Sequence, residues 1–202
     1  MESALTNLLP FGLLLRARSA PIPLPANSAL WLRSLVFLAL LGPGILHQAL
    51  PAEDESAKPG INEKFLANPK PPEWVERFER EGREIYDQRD AVVAACAISS
   101  GDRIADIGAG TGLYTRLFAP AVGEEGKVFA VDIAKTFVDH TVASSHEQGW
   151  KQVEGVVCAR DDVKLPANSI DLAFVCATYH HFEYPFKTLE SIRRALRPGG
   201  RL

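Results

Sequence analysis

Residues 103–118 (RIADI, GAGTG, LYTRLF) constrain this chain more than any other stretch. The first five read as a short buried strand and the last six as the start of a helix. Between them stand Gly108-Ala109-Gly110-Thr111-Gly112. Glycines let a backbone approach a ligand that a side chain would hold away. The helix start behind the loop offers unpaired N–H groups to a polar or anionic group. Strand, glycine loop and helix in that order predict an α/β fold with a ligand site above the strand ends.

Three ligand classes compete for such a loop. A nucleoside triphosphate loop needs GxxxxGK followed by Ser or Thr, which does not occur here. A dinucleotide loop reads GxGxxG, and its third glycine would fall on Leu113. The spacing is instead GxGxG, preceded by Asp106. An acid there repels a pyrophosphate and attracts a cationic amino-acid group, which favours S-adenosylmethionine over NAD(P). An NAD(P)-dependent Rossmann oxidoreductase is thus the disfavoured alternative.

Further strands are expected at 127–133, 153–158 and 170–177. The first ends in Asp132, about 20 residues past the glycine loop, where an acid grips ribose hydroxyls in adenosine-binding folds. The next two end before Arg160-Asp161-Asp162 and before Thr178-Tyr179-His180-His181. Every polar cluster therefore follows a strand's carboxyl end, where open α/β sheets bind ligands.

DIGAGTG (106–112), VDI (131–133), RDDVKLPANSIDLAF (160–174) and ALRPGG (195–200) together resemble class I S-adenosylmethionine-dependent methyltransferases. The likeness is to the small-molecule branch that includes ubiquinone and menaquinone methyltransferases, and it spans roughly 73–202. It implies a Rossmann-like, doubly wound sheet. It also implies that Asp106 and the backbone of Gly108, Ala109, Gly110, Thr111 and Gly112 hold the methionine part of the cofactor. Asp132 would take the ribose hydroxyls, Ile133 would pack on adenine, and Asp161 would meet the adenine amino group, with Asp162 the register alternative. Thr178 to His181 would line the acceptor side, His180 or His181 serving as base where an acceptor must lose a proton. One of the two histidines is expected to face away from the cleft, and no metal set is expected from them.

The family's NPPY tetrad for amino groups of bases and amides is replaced by Ala177-Thr178-Tyr179-His180, which favours a small-molecule or lipid acceptor over nucleic acid. Charge agrees: 22 basic against 25 acidic residues leave no excess to neutralise phosphates. The family sheet has seven strands, whereas this sequence stops at Leu202, where the fifth is expected to begin. The C-terminal strands are thus expected to be missing, with the strand at 170–177 left as an apolar edge.

Ahead of the domain, residues 1–52 hold Arg16, Arg18, Arg33 and a single acid, Glu2. The run LVFLALL (35–41) is followed by Gly42-Pro43-Gly44 and a small-residue stretch to Ala52. A proline between glycines interrupts a membrane-spanning helix, so this leader reads as a signal peptide, with an uncleaved anchor through residues 30–50 or an artefactual extension as the other readings. Export would separate the domain from a cytoplasmic cofactor pool, so an exported or membrane-tethered domain that binds without catalysis is a third functional reading. Residues 53–72 read as an exposed linker, rich in Pro and charge. A helix is expected from Pro72, its stripe formed by Trp74, Phe78 and Ile85, and a buried helix over Asp90–Ile98. Trp74, Phe78 and Tyr86 could serve either as a lid or as core. Cys96, Cys158 and Cys176 show no CxxC pairing and read as buried thiols.

Overall fold

The computed structural model describes residues 55–202, which lie within one unit running from Ala49 to Leu202. The leader readings fall outside the described residues. Among the described residues no helix is long and apolar enough to cross a membrane.

Among the described residues four short helices come first: α1 (Glu63–Leu66), α2 (Pro71–Phe78), α3 (Glu84–Asp87) and α4 (Arg89–Ala95). Then follow β1 (Arg103–Ile107), α5 (Leu113–Val122), β2 (Lys127–Asp132), α6 (Lys135–Glu147), β3 (Val153–Val157) and β4 (Ile170–Val175). A 3₁₀ turn (Tyr179–His181), α7 (Pro185–Ala195) and β5 (Leu196–Arg201) complete the order. The sheet runs β3-β2-β1-β4-β5, with every pair parallel. The chain reverses direction across the sheet between β1 and β4, the switch point at which such folds bind ligands.

Central strands of a parallel sheet are covered on both faces and so read as unbroken apolar runs. In β1, Ile104 joins Tyr114, Phe118 and Val122 of α5 on one face. Its neighbours Ala105 and Ile107 join Ile192 and Ala195 of α7 on the other. β3 is the outer strand, and α6 lies close over it: a Cβ on Gly155 would fall 2.4 Å from Val138 Cγ1.

The structure departs from the sequence expectations at both ends of the domain. β4 is not a bare edge. β5 begins at Leu196, earlier than expected, and pairs Leu196 with Ile170 and Arg201 with Leu172 around a register shift. The Ser169 N–H donates to Ala195 O at 2.8 Å, which delivers the chain from α7 straight onto β4. The helical stripe expected through Ile85 breaks after Phe78, and the chain turns through Gly82 at φ +82°. α4 is not fully buried; Val92 and Val93 only flank the core. All three cysteines are free and half-buried rather than enclosed. Nor is 55–72 a bare linker. Asn62 is buried, and the Ala57 N–H donates to Glu183 O at 2.7 Å.

Candidate cofactor site

Above the switch point lies a cleft. Its walls are Gly108 and Gly110 from the loop after β1, Asp132 and Ile133 after β2, Cys158, Ala159 and Arg160 after β3, and Ala177, Thr178 and His181 after β4. A second lobe continues past the glycine loop and takes in Asp106, Ala109, Thr111, Tyr114 and His180.

The loop is held by the strand beside it. Gly108 N–H and Ala109 N–H both donate to Val131 O, at 2.7 and 3.0 Å. Gly108 sits at φ +74°, and a Cβ there would stand 2.2 Å from Thr178 Cγ2. Gly110, at φ +55°, borders the cleft instead; a Cβ would meet Phe78 at 3.9 Å and the Gly108 carbonyl oxygen at 4.0 Å, both ordinary contacts. Glycine at 108 thus lets two walls touch, and glycine at 110 leaves backbone bare toward a ligand. Thr111 is buried, and its carbonyl accepts from Arg116 Nη1 at 2.8 Å. Arg116 in turn pairs with Glu79 at 2.7 Å, tying the loop to the chain just after α2.

Asp132 is 7% exposed. Its Oδ2 accepts the Gly110 N–H at 2.9 Å and its Oδ1 accepts the Ala134 N–H at 2.8 Å. It therefore steadies the start of α6 and the glycine loop together, and each oxygen keeps a lone pair for a further donor. Burial pushes its carboxyl above the usual range, against the opposing N–H groups of Ala134, Gly110 and Ile133.

Asp106 is 4% exposed and accepts from Thr115 Oγ1 at 2.7 Å. Burial pushes its carboxyl up to about 6; the Thr115 hydrogen bond opposes this and the nearby Asp132 adds to it. A cation brought beside it would restore the ionised form.

The acids after β3 part company. Neither Asp161 nor Asp162 lines either lobe. Asp162 shapes a turn: it accepts the Lys164 N–H at 2.6 Å and pairs with Arg194 at 2.9 Å. Against the pull of burial, these two hold its carboxyl below the usual range. Asp162 is thus spent on structure, while Asp161 is half-buried beside the wall residue Arg160.

Both histidines reach the site. His181 borders both lobes and His180 only the second, with ring centroids 4.3 Å apart. Burial depresses the pKa of His181, helped by His180, Lys64 and Lys58. Thr178 Oγ1 donates to Cys176 O at 3.0 Å, and Ala177 before it takes the left-handed φ of +52°. For a residue with a Cβ that backbone is strained, and it sits in the cleft wall.

Sequence reasoning missed the flap over this site. Asn62 Nδ2 donates to His181 O at 2.9 Å and to Glu183 Oε1 at 3.1 Å. Arg160 Nη1 donates to both Glu183 oxygens at 2.8 Å, and Nη2 donates to Glu63 at 2.9 Å. Glu183 is 2% exposed, so its charge depends on this pairing. The Phe65 ring lies 5.3 Å from His181, 5.1 Å from Trp74 and 6.1 Å from Phe137. Trp74 and Phe78 border the cleft, so they serve as its roof rather than as enclosed core. The Asn62 contacts join residues 119 and 121 positions apart, and no local periodicity announces them.

The donors and acceptors fit S-adenosylmethionine. Asp132 offers carboxylate lone pairs where a ribose would lie, Gly110 bares backbone, and Asp106 offers an acid to an ammonium group. His181 Nδ1 and Thr188 Oγ1 are buried beside the first lobe without a hydrogen-bond partner among the described residues, as a polar ligand would require.

Comparison with known proteins agrees. Residues 105–202 match the family model described as a methyltransferase domain. The ubiquinone/menaquinone biosynthesis C-methyltransferase UbiE of Coxiella burnetii is 25% identical over 113 residues, 55% of this chain and 45% of that protein. UbiE of Pseudoalteromonas translucida is 30% identical over 111 residues, covering 54% and 44%. The chain thus spans less than half the length of these curated relatives. A solved S-adenosylmethionine-dependent methyltransferase from Aquifex aeolicus matches at 28% identity with a TM-score of 0.57, over 64% of this chain and 68% of that one. The YcgJ protein of Bacillus subtilis shares the fold at 22% identity and TM-score 0.51, over 57% and 48%. Sheet order, glycine loop, acid after β2 and these likenesses together make the domain similar to class I S-adenosylmethionine-dependent methyltransferases, UbiE among them.

Proposed function

We propose that this chain transfers a methyl group from S-adenosylmethionine to a small-molecule acceptor. The carrying observation is Asp132, buried at the end of β2 and hydrogen-bonded to Gly110 of the loop, with lone pairs left for ribose hydroxyls. The bound cofactor supplies a methyl group already activated on a sulfonium. What remains for the protein is to align the acceptor, exclude water and accept a proton where one must leave. Phe65, Trp74 and Phe78 roof the cleft against water. His181 is the base on this reading: it is half-buried, it borders both lobes, and its depressed pKa keeps it neutral at pH 7. The curated relatives are named for carbon methylation in ubiquinone and menaquinone biosynthesis, which supports a small organic acceptor. Against the NAD(P) reading stand Leu113 at the third-glycine position and buried Asp106 beside the loop.

Calorimetric titration of the full chain with S-adenosylhomocysteine, and separately with NAD, tests this reading. Binding of the first alone is expected, weakened at least roughly tenfold by Asp132→Ala, since a hydrogen bond to a charged group is lost. Binding of NAD in its place would overturn the proposal.

A further inference from the structure

Most polar side chains that border the first lobe are engaged within the fold. Asn62 Nδ2 donates to His181 O and Glu183, Arg160 donates to Glu183 and Glu63, and Thr178 Oγ1 donates to Cys176 O. Burial pushes the Cys158 thiol up to about 12, so it stays neutral. Among the described residues, two side-chain atoms bordering this lobe are buried without a partner, His181 Nδ1 and Thr188 Oγ1. His181 borders both lobes. Thr188 borders only the first, which Ile133, Cys158 and Ala159 also line.

Thr188 is 6% exposed and stands in α7. A helical threonine hydroxyl ordinarily turns back to a carbonyl three or four residues earlier. Here the Tyr184 carbonyl accepts the Thr188 N–H at 2.9 Å, while Oγ1 bonds to nothing in the fold. Ser191 fixes the helix at this point: its Oγ accepts the Val163 N–H at 3.1 Å and donates to Thr188 O at 2.7 Å. α7 is thereby locked to the loop after β3, with the free hydroxyl at the cavity beside Val163. A buried hydroxyl without a partner is destabilising, and a polar ligand atom placed against it offsets that cost.

Adenine offers such an atom in its exocyclic amino group. With the ribose at Asp132 and the amino-acid end at Asp106 in the second lobe, the first lobe is left to the base. Ile133, Cys158 and Val163 give a flat ring apolar walls, and its amino group then needs an acceptor. Asp161, the acid that the sequence resemblance offers for it, borders neither lobe.

We propose that the Thr188 hydroxyl, bordering the first lobe from α7, accepts a hydrogen bond from the adenine amino group and so takes the role expected of Asp161. This rests on the methyl-transfer reading above and adds to it a residue that sets cofactor specificity.

Calorimetric titration of the full chain tests this with two ligands, S-adenosylhomocysteine and its analogue carrying hydrogen in place of the 6-amino group. The wild type is expected to bind the amino compound roughly fivefold more tightly. Thr188→Val keeps the branched shape, lacks the hydroxyl and should bind both compounds alike. Asp161→Ala should keep the wild-type preference. A preference that survives in Thr188→Val, or that vanishes in Asp161→Ala, overturns the proposal by giving the amino group another acceptor. Equal wild-type affinities overturn it as well and leave the methyl-transfer reading standing. No binding of S-adenosylhomocysteine by the wild type refutes the methyl-transfer reading itself, and this proposal with it. Urea unfolding without ligand supplies an independent readout. The Thr188→Val midpoint should be no lower than that of the wild type, since the deleted hydroxyl held no partner. A lower midpoint would reveal a partner within the fold and overturn the proposal.

Discussion

Replacing Asp106 with asparagine should stabilise the ligand-free protein while weakening its cofactor site. The carboxyl is 4% exposed, and burial raises its pKa from 3.8 to about 6. Because the folded-state value lies above the unfolded one, the folded protein holds more protons between the two. Stability is therefore lost as pH rises through that window. The full loss is about 3 kcal/mol, complete near pH 7. Between pH 5 and pH 8 the remaining part is about 1 kcal/mol. Asparagine has nearly the same shape, keeps an oxygen for Thr115 Oγ1, and does not titrate. Urea unfolding of both proteins at pH 5 and pH 8 should show the variant's advantage growing by about 1 kcal/mol over that interval. S-adenosylhomocysteine should at the same time bind roughly tenfold to a hundredfold more weakly, because its ammonium loses a charged acceptor. An advantage that does not grow with pH would refute the claim that burial, uncompensated in the ligand-free protein, sets this carboxyl. Unchanged affinity would refute its role toward the ligand.

Gly108→Ala should cost about 1–3 kcal/mol through its left-handed backbone alone, with more from the 2.2 Å approach to Thr178, and should abolish homocysteine-compound binding by calorimetry. Glu183→Gln removes the charge that Arg160 holds bidentately beneath the flap. A loss of about 1–3 kcal/mol in urea unfolding, with faster proteolysis between residues 57 and 66, is expected. His181→Gln should lower kcat for acceptors that must lose a proton and flatten the acid side of the pH profile. In the wild type that limb should fall below the usual histidine value of 6.5, since burial disfavours the charged ring. Phe65→Ala opens the roof and should raise the Kd for the homocysteine compound roughly tenfold, read by the same titration.

How much was legible beforehand follows from the range of the interactions involved. β1, the glycine loop and α5 are contiguous, so RIADI-GAGTG announces them by composition alone. Asp132 was legible for the same reason, because the acid at the end of the next strand lies one crossover away. Each of its oxygens takes one backbone N–H, from Gly110 and from Ala134, and keeps room for another donor. Asp161 and Asp162 were not separable by sequence. Whether an acid there faces a cleft depends on where the chain turns, and here neither borders it while the turn engages Asp162. The early start of β5 was hidden because LRPGGR is a poor strand in isolation; pairing to Ile170 and Leu172 imposes it.

Sequence alone determined the sheet's nucleus and its cofactor class, since these rest on short-range periodicity and on glycines that only one backbone geometry explains. Tertiary structure alone decided the roof. Asn62 meets Glu183, and Glu63 meets Arg160, across roughly a hundred residues of chain. Their union depends on a buried carboxylate that must find its partner wherever the fold brings one, and no local pattern encodes that distance.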